Sequence, residues 1–303
     1  MAHADPSSNS SAAGTSSVLL RRLEWRVRHV ADSVVSGEYR SAFRGRGREF
    51  DQVVKYQFGD DVRDIDWNVT ARLGEPYRKR FVEEREVTLV LLVEDTPSLQ
   101  FGSGAVSKRE ALFELAGLLG LVAAANRDRL AILHAAPGGH WFLPPARGIR
   151  AIRASAARLL DQAPPRLDEG GYAEIPWRFL LRTLPRHAVV LWLSDFPPRA
   201  EPEFWAAFRR KFQVFGFRVE DFWESTLPDI GAFTAFDPTT GDLVTVDPSS
   251  SATRRAHGRW VLAREEAFQA LFPDPASRMI LRAGEPVLEA LLHFFHTRER
   301  RTR

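Results

Sequence analysis

Val87-Thr-Leu-Val-Leu-Leu-Val93 runs without a break into Glu94-Asp-Thr-Pro-Ser98, and this junction decides the fold. Seven apolar or β-branched residues with no alternation describe a strand buried on both faces, which requires helices on both sides of its sheet. His187-Ala-Val-Val-Leu-Trp-Leu193 repeats the pattern and ends in Ser194-Asp195. Between them, Ser107 to Asn126 reads as a helix that is apolar nearly all round. Arg129 to His134 and His140 to Leu143 read as strands around the turn Pro137-Gly-Gly139, and Gly148 to Gln162 and Glu174 to Leu184 as helices. Pro202 to Phe212 follows as a helix and Gln213 to Val219 as a strand. Strand alternating with helix implies right-handed crossovers and a mostly parallel sheet with helices on both faces. Ligands in such sheets sit beyond the carboxyl ends of the strands, here Glu94 to Ser98 and Asp195.

Upstream of that strand lies a segment of different character, Gly37 to Glu86. It holds eleven basic and eleven acidic residues in fifty positions, with aromatic residues at Tyr39, Phe43, Phe50, Tyr56, Phe58, Trp67, Tyr77 and Phe81. Charges of alternating sign with that many rings describe a folded, salt-bridged platform rather than a solvated tail. Gly59-Asp-Asp61 marks a turn, and Asn68 to Arg72 a helical turn. Before it, Val18 to Ser36 has the spacing of an amphipathic helix, and residues 1–17, rich in Ser, Ala and Asn, lack the apolar content to order themselves. After Glu220, Phe233 to Phe236 and Leu243 to Val246 flank Asp237-Pro-Thr-Thr-Gly-Asp242 as a β-hairpin. Helices from Thr253 to about Leu271 and from about Glu285 to Thr297 close the chain. The expected divisions are therefore 1–17 (disordered), 18–86 (helix and platform), 87–220 (the α/β domain) and 221–303 (hairpin, helices and basic tail).

Composition narrows the function classes. The chain has 303 residues, a net charge of +3 and no cysteine, which excludes disulfides, zinc–thiolate sites and a cysteine nucleophile. No apolar run reaches the roughly 18 residues that span a bilayer, and the first residues lack the pattern of a secretory signal. The expectation is a soluble, cytoplasmic protein. Basic residues are interleaved with acidic ones except at Arg298 to Arg303. That cluster offers nucleic-acid binding as a further reading, though a short basic end more often only solubilises.

The carboxylate and hydroxyls at Glu94, Thr96 and Ser98, spaced by two, present three oxygens to one hard cation such as Mg²⁺; an ordinary strand-to-helix loop contains the same residue types. Asp60, Asp61, Asp64 and Asp66 suggest a metal-dependent hydrolase. Against that, Arg63, Arg72 and the arginines Arg44, Arg46 and Arg48 supply a planar partner for each carboxylate, which favours a structural network. Gly45-Arg-Gly47 and Phe101-Gly-Ser-Gly104 lack phosphate-loop spacing, so any ATP hydrolysis belongs to a partner. His293 and His296, with Phe294 and Phe295 between them, read as helix packing, and Ser98 has no histidine–acid companion.

Gly37-Glu-Tyr-Arg-Ser-Ala-Phe-Arg-Gly-Arg-Gly-Arg-Glu-Phe50, Tyr56-Gln-Phe-Gly-Asp-Asp-Val-Arg-Asp-Ile-Asp-Trp67, Thr70-Ala-Arg72 and Ser194-Asp-Phe196 together resemble the bacterial domain-of-unknown-function family 58. The resemblance covers roughly Arg22 to Val246. It implies a von Willebrand factor A-like domain and a partnership with a MoxR-type AAA+ ATPase or its client. It also implies a comparison with the metal-ion-dependent adhesion site of A domains: an Asp-x-Ser-x-Ser loop, a Thr on a second loop and an Asp on a third. Here Glu94 stands for the Asp, Thr96 for the first Ser, Ser98 matches the second, Tyr172 after Gly170-Gly171 replaces the Thr, and Asp195 matches the last. Glu is a methylene too long for the strict geometry of Mg²⁺, and a neutral phenol is a poor ligand. The expected site is degenerate, with no cofactor or weakly bound Mg²⁺.

The leading expectation is thus a non-enzymatic interaction module working with the ATPase. Its platform comprises Arg44, Arg46, Arg48, Glu49, Asp60, Asp61, Arg63, Asp64, Asp66, Trp67 and Arg72. The alternative is a hydrolase built on Asp60 to Asp66.

Overall fold

The computed structural model describes residues 39, 42–43, 49–82, 87–169, 172–237 and 240–302. The expected helix at Val18 to Ser36, the disordered lead, Arg44, Arg46, Arg48 and Gly170-Gly171 lie outside them. The chain divides into two compact units, Arg44–Glu86 and the remainder.

The larger unit is built on a six-stranded sheet. Its strands are β3 (Thr88–Glu94), β4 (Arg129–Ala136), β5 (Gly139–Arg147), β6 (Val189–Ser194), β7 (Gln213–Glu220) and β10 (Arg278–Arg282), in the order β10-β7-β6-β3-β4-β5. All neighbours are parallel except β4 and β5, which form an antiparallel hairpin closing that edge. The β4–β5 register shifts beside Pro144-Pro145, between Leu130↔Ala146 and Ile132↔Leu143, because proline has no N–H for the ladder. Strand order reverses between β3 and β6. Successive connections run outward to β4 on one side and to β7 and β10 on the other, leaving a crevice at the carboxyl ends of β3 and β6.

The two faces of β3 show why its sequence has no alternation. Leu89, Leu91 and Val93 pack with helices α2 (Lys108–Ala125), α3 (Ile149–Leu160) and α8 (Val287–Thr302). Val90 and Leu92 pack on the other side with α4 (Trp177–Thr183), α5 (Trp205–Lys211) and α7 (Ser251–Leu271). Tyr39 and Phe43 join the first cluster, edge-on to Phe295 at 6.0 and 5.5 Å between centroids. The second is dominated by rings: Trp192 lies within 5.4 Å of Trp177, Trp205 and Phe196. Gly216 on β7 lets Phe272 lie flat against the strand, where a Cβ would meet the ring at 2.3 Å.

Several boundaries are set by proline. The helix expected from Glu174 begins only at Trp177, since Pro176 keeps Ile175 out of the helical region. The helix expected from Pro202 begins at Trp205 after Phe204, which sits at φ +66°. The strand β10, parallel to β7, is absent from the sequence expectation, because Arg278-Met-Ile-Leu-Arg282 carries a charge at each end of a short apolar stretch. A single helical turn, α6 (Phe222–Ser225), follows β7, and the anticipated hairpin forms from β8 (Phe233–Phe236) and β9 (Leu243–Val246), with Phe233 opposite Val246.

In the smaller unit, β1 (Glu49–Lys55) and β2 (Tyr77–Val82) form an antiparallel ladder around a 3₁₀ turn (Val62–Asp64) and helix α1 (Trp67–Leu73). Asp66 caps α1 by accepting from the Asn68 and Val69 amides, and Gly74 ends it at φ +75°. Among residues 52–79 of this unit no side chain is fully buried. Phe58 and Trp67 stand open to solvent, Trp67 at 70% exposure.

Candidate functional site: a plugged crevice at the strand ends

The loops leaving β3, β6 and β7 meet over the crevice, and each brings a carboxylate. Ser98, in the 3₁₀ turn Pro97–Gln100, donates its hydroxyl to Asp195 Oδ2 at 2.5 Å, and Thr96 Oγ1 lies 2.9 Å from Ser98 Oγ. The structure thus brings three of the four expected oxygen ligands together: Thr96, Ser98 and Asp195. Glu94 is engaged elsewhere. Its Oε2 accepts from Trp192 Nε1 at 3.0 Å and its Oε1 from Arg199 at 2.8 Å. Tyr172 is exposed.

The centre of the crevice is held by a residue that the sequence reading passed over. Lys108, the first residue of α2, is 1% exposed and donates to Asp195 Oδ2 at 2.9 Å and to Glu224 Oε1 at 2.5 Å. Glu224 also accepts from Arg264, and Arg264 donates to the Asp195 carbonyl at 2.6 Å. Burial alone pushes the Asp195 carboxyl up. The Lys108 and Arg264 charges and the Ser98 hydrogen bond outweigh it and hold the group at about 2. For Lys108, burial opposes the charged form, yet Asp195 and Glu224 together raise the amine above its ordinary range.

On one side, Asp95 receives a two-point bond from Arg109 and lies 3.1 Å from His134 Nε2, whose ring stacks on Trp141. On the other, Asp221 caps α6 by accepting from the Trp223 amide and also takes the Ser103 amide at 2.8 Å, tying the β3 and β7 loops together. Above this plug the rim carries aromatic side chains. Phe101 and Phe222 are exposed, and Trp223 lies between Phe101 and Phe233. A cavity of about 590 Å³ lies on the surface of β10 and α8, lined by Met279, Glu289 and His293 among others. His293 and His296 lie on α8, and Phe294 and Phe295 between them are buried in the core.

In the smaller unit the acidic cluster is largely engaged by side chains of its own unit. Asp60 pairs with Arg78 at 2.7 Å and accepts from the Gln57 amide; Asp61 caps its 3₁₀ turn and pairs with Arg63; Asp66 caps α1 with Lys79 at 3.7 Å. The arginines Arg44, Arg46 and Arg48 of the anticipated network lie outside the described residues; among the described ones, Arg63 and the β2 cations Arg78 and Lys79 pair with these carboxylates. Arg72 lies in the last turn of α1. No group of three or more His, Asp or Glu placed to hold a metal occurs among the described residues.

Comparison with known proteins gives one family. The profile described as "Protein of unknown function DUF58" matches residues 52–267. Uncharacterized protein Rv1480 of Mycobacterium tuberculosis (strain ATCC 25618 / H37Rv) is 29% identical over 238 residues, covering 76% of this chain and 74% of its own length. Uncharacterized protein Mb1516 of Mycobacterium bovis matches equally. Among solved structures, the pilus adhesin SpaC from Lactobacillus rhamnosus GG aligns with 85% of this chain at 8% identity and a TM-score of 0.40, and the chain spans 37% of that adhesin. An uncharacterized membrane spanning protein from Vibrio fischeri aligns with 71% of this chain and 97% of its own at 14% identity and a TM-score of 0.24. Likeness at these scores carries no functional argument. Among the described residues no helix is long and apolar enough to cross a membrane.

Proposed function

Because the chain belongs to the DUF58 family, whose function is unknown, we propose its role from the crevice itself: a non-enzymatic docking module whose larger unit is a von Willebrand factor A-like domain with a degenerate adhesion site. One observation carries this reading. At the strand-order reversal, where an α/β enzyme opens its pocket, Lys108, Asp195, Glu224 and Arg264 bind one another instead. A general acid or base needs access and a pKa near the working pH, whereas Asp195, 3% exposed and at about 2, is a permanent anion.

What the chain offers outward is rings. Phe101 and Phe222 stand on the rim of the larger unit, and Phe58 and Trp67 on the smaller; exposed aromatic residues are the usual anchors of protein interfaces. The partner is a MoxR-type AAA+ ATPase or that ATPase's client, as the family resemblance implies. Crosslinking in the native cell followed by purification of this chain recovers an AAA+ ATPase, and Phe222→Ala reduces the yield severalfold. Recovery of no ATPase under crosslinking overturns the partnership.

A further inference from the structure

The buried ammonium of Lys108 has the surroundings of a bound metal ion. Its Nζ faces two carboxylates from different loops, Asp195 at 2.9 Å and Glu224 at 2.5 Å. The Ser98 hydroxyl, with Thr96 behind it, lies on the same Asp195 oxygen. The second Asp195 oxygen, Oδ1, is buried and has no hydrogen-bond partner, a costly vacancy in a group that is 3% exposed. Two carboxylates on one positive charge, with a hydroxyl from a third strand-end loop bound to one of them, are the ligand type that hard cations take. Here the charge is supplied covalently, from the first turn of α2.

We propose that Lys108 is the permanent internal cation of this crevice, standing where a divalent ion would otherwise bind, and that removing its amine converts the crevice into a divalent-cation site. The ion favoured is Ca²⁺. Its oxygen distances of about 2.3–2.6 Å nearly match the present ammonium distances, whereas Mg²⁺, at about 2.1 Å, requires the ligands to move inward by roughly 0.4–0.8 Å. The space vacated by the lysine chain admits the waters that complete the coordination shell. Charge sets the strength: Arg264 stays beside Glu224 at 3.2 Å, so a divalent ion leaves one positive charge in excess. The affinity expected is therefore the weak end of the Ca²⁺ range, on the order of 10⁻⁴–10⁻³ M. The consequence for the native chain is a rim whose three loops are cross-linked without regard to metal supply.

The test uses the full chain with Ca²⁺ alone, followed by calorimetry and by the rise of the unfolding temperature with Ca²⁺. The native chain takes up no ion that depends on Asp195. Lys108→Ala takes up one Ca²⁺ per chain with a concentration-dependent rise in unfolding temperature, and Lys108→Ala combined with Asp195→Asn loses both effects. Should Lys108→Ala not fold unaided, its refolding is scored in millimolar Ca²⁺: recovery supports the proposal and failure to recover overturns it. A folded Lys108→Ala that takes up no ion overturns it, as does native binding of one Ca²⁺ abolished by Asp195→Asn. These readouts need no partner, so their failure leaves the docking proposal to its own crosslinking test.

Discussion

At pH 7 the Asp195 carboxyl is charged in a place from which water is excluded, because Lys108, Arg264 and Ser98 replace the lost hydration. The folded group sits at about 2 against an ordinary 3.8. A depressed acid stabilises the fold fully above its unfolded value and ceases to do so as pH falls through the folded value. Stability measured by urea unfolding should therefore fall by about 2 kcal/mol from this group between pH 4 and 2, and Asp195→Asn should remove that part of the slope. Lys108 has the opposite sign: its raised value means its contribution is present below the unfolded value of 10.5 and is lost at more alkaline pH as the folded amine titrates. Lys108→Met, which strands two acidic partners, should cost about 3–5 kcal/mol in the same assay. This side chain was not legible in the sequence. A lysine at the start of a helix normally faces water, and only the strand-order reversal carries it over a carboxylate 87 residues away. Glu94 misled for a related reason: the spacing of Glu94, Thr96 and Ser98 does not encode that Trp192 and Arg199 claim the glutamate.

At the scale of elements, legibility followed burial. The uninterrupted runs of β3 and β6 announced themselves because both faces of each are covered, and the turn residues Asp237 to Asp242 announced the β8–β9 hairpin. The edge strand β10, half exposed and ending in arginines, gave no comparable signal. Helix α2 starts with a reciprocal cap in which Ser107 accepts from the Glu110 amide and Glu110 accepts from the Ser107 amide. Ser107→Ala should cost about 1 kcal/mol and lower the urea midpoint without altering the slope. The β7 strand depends on the missing side chain of Gly216, so Gly216→Ala should cost about 1–3 kcal/mol as Phe272 is displaced. A Gly216→Ala protein as stable as the native chain would show that the ring has somewhere else to go.

For the whole molecule, the two units differ in what protects them. The sheet of the larger unit is enclosed by two apolar clusters, one on each face, whereas none of the side chains of residues 52–79 in the smaller unit is fully buried. Amide hydrogen exchange should therefore be slowest in β3, β4 and β6, and reach the amides of residues 49–82 well before the sheet opens. Equal protection in both would mean that the smaller unit is covered by something the chain itself supplies. The broad plan, a central mostly parallel sheet with helices, was readable from periodicity. The ion pairs of the smaller unit were readable in kind, and the partners Arg78 and Lys79 of Asp60 and Asp66 were not singled out, because only the strand pairing brings β2 beside them.

The consecutive prolines of β5 bear on how copies of this protein meet. Open-ended stacking of sheets into fibres needs two adhesive borders per subunit, one to receive a neighbour and one to offer. Pro144-Pro145 disables the border on the β5 side, so that, among the described residues, β10 is the edge of the six-stranded sheet better able to recruit another chain through its backbone. Association through the six-stranded sheet is consequently self-terminating: two molecules can join head to head along β10, and the β5 side offers a third no equal border.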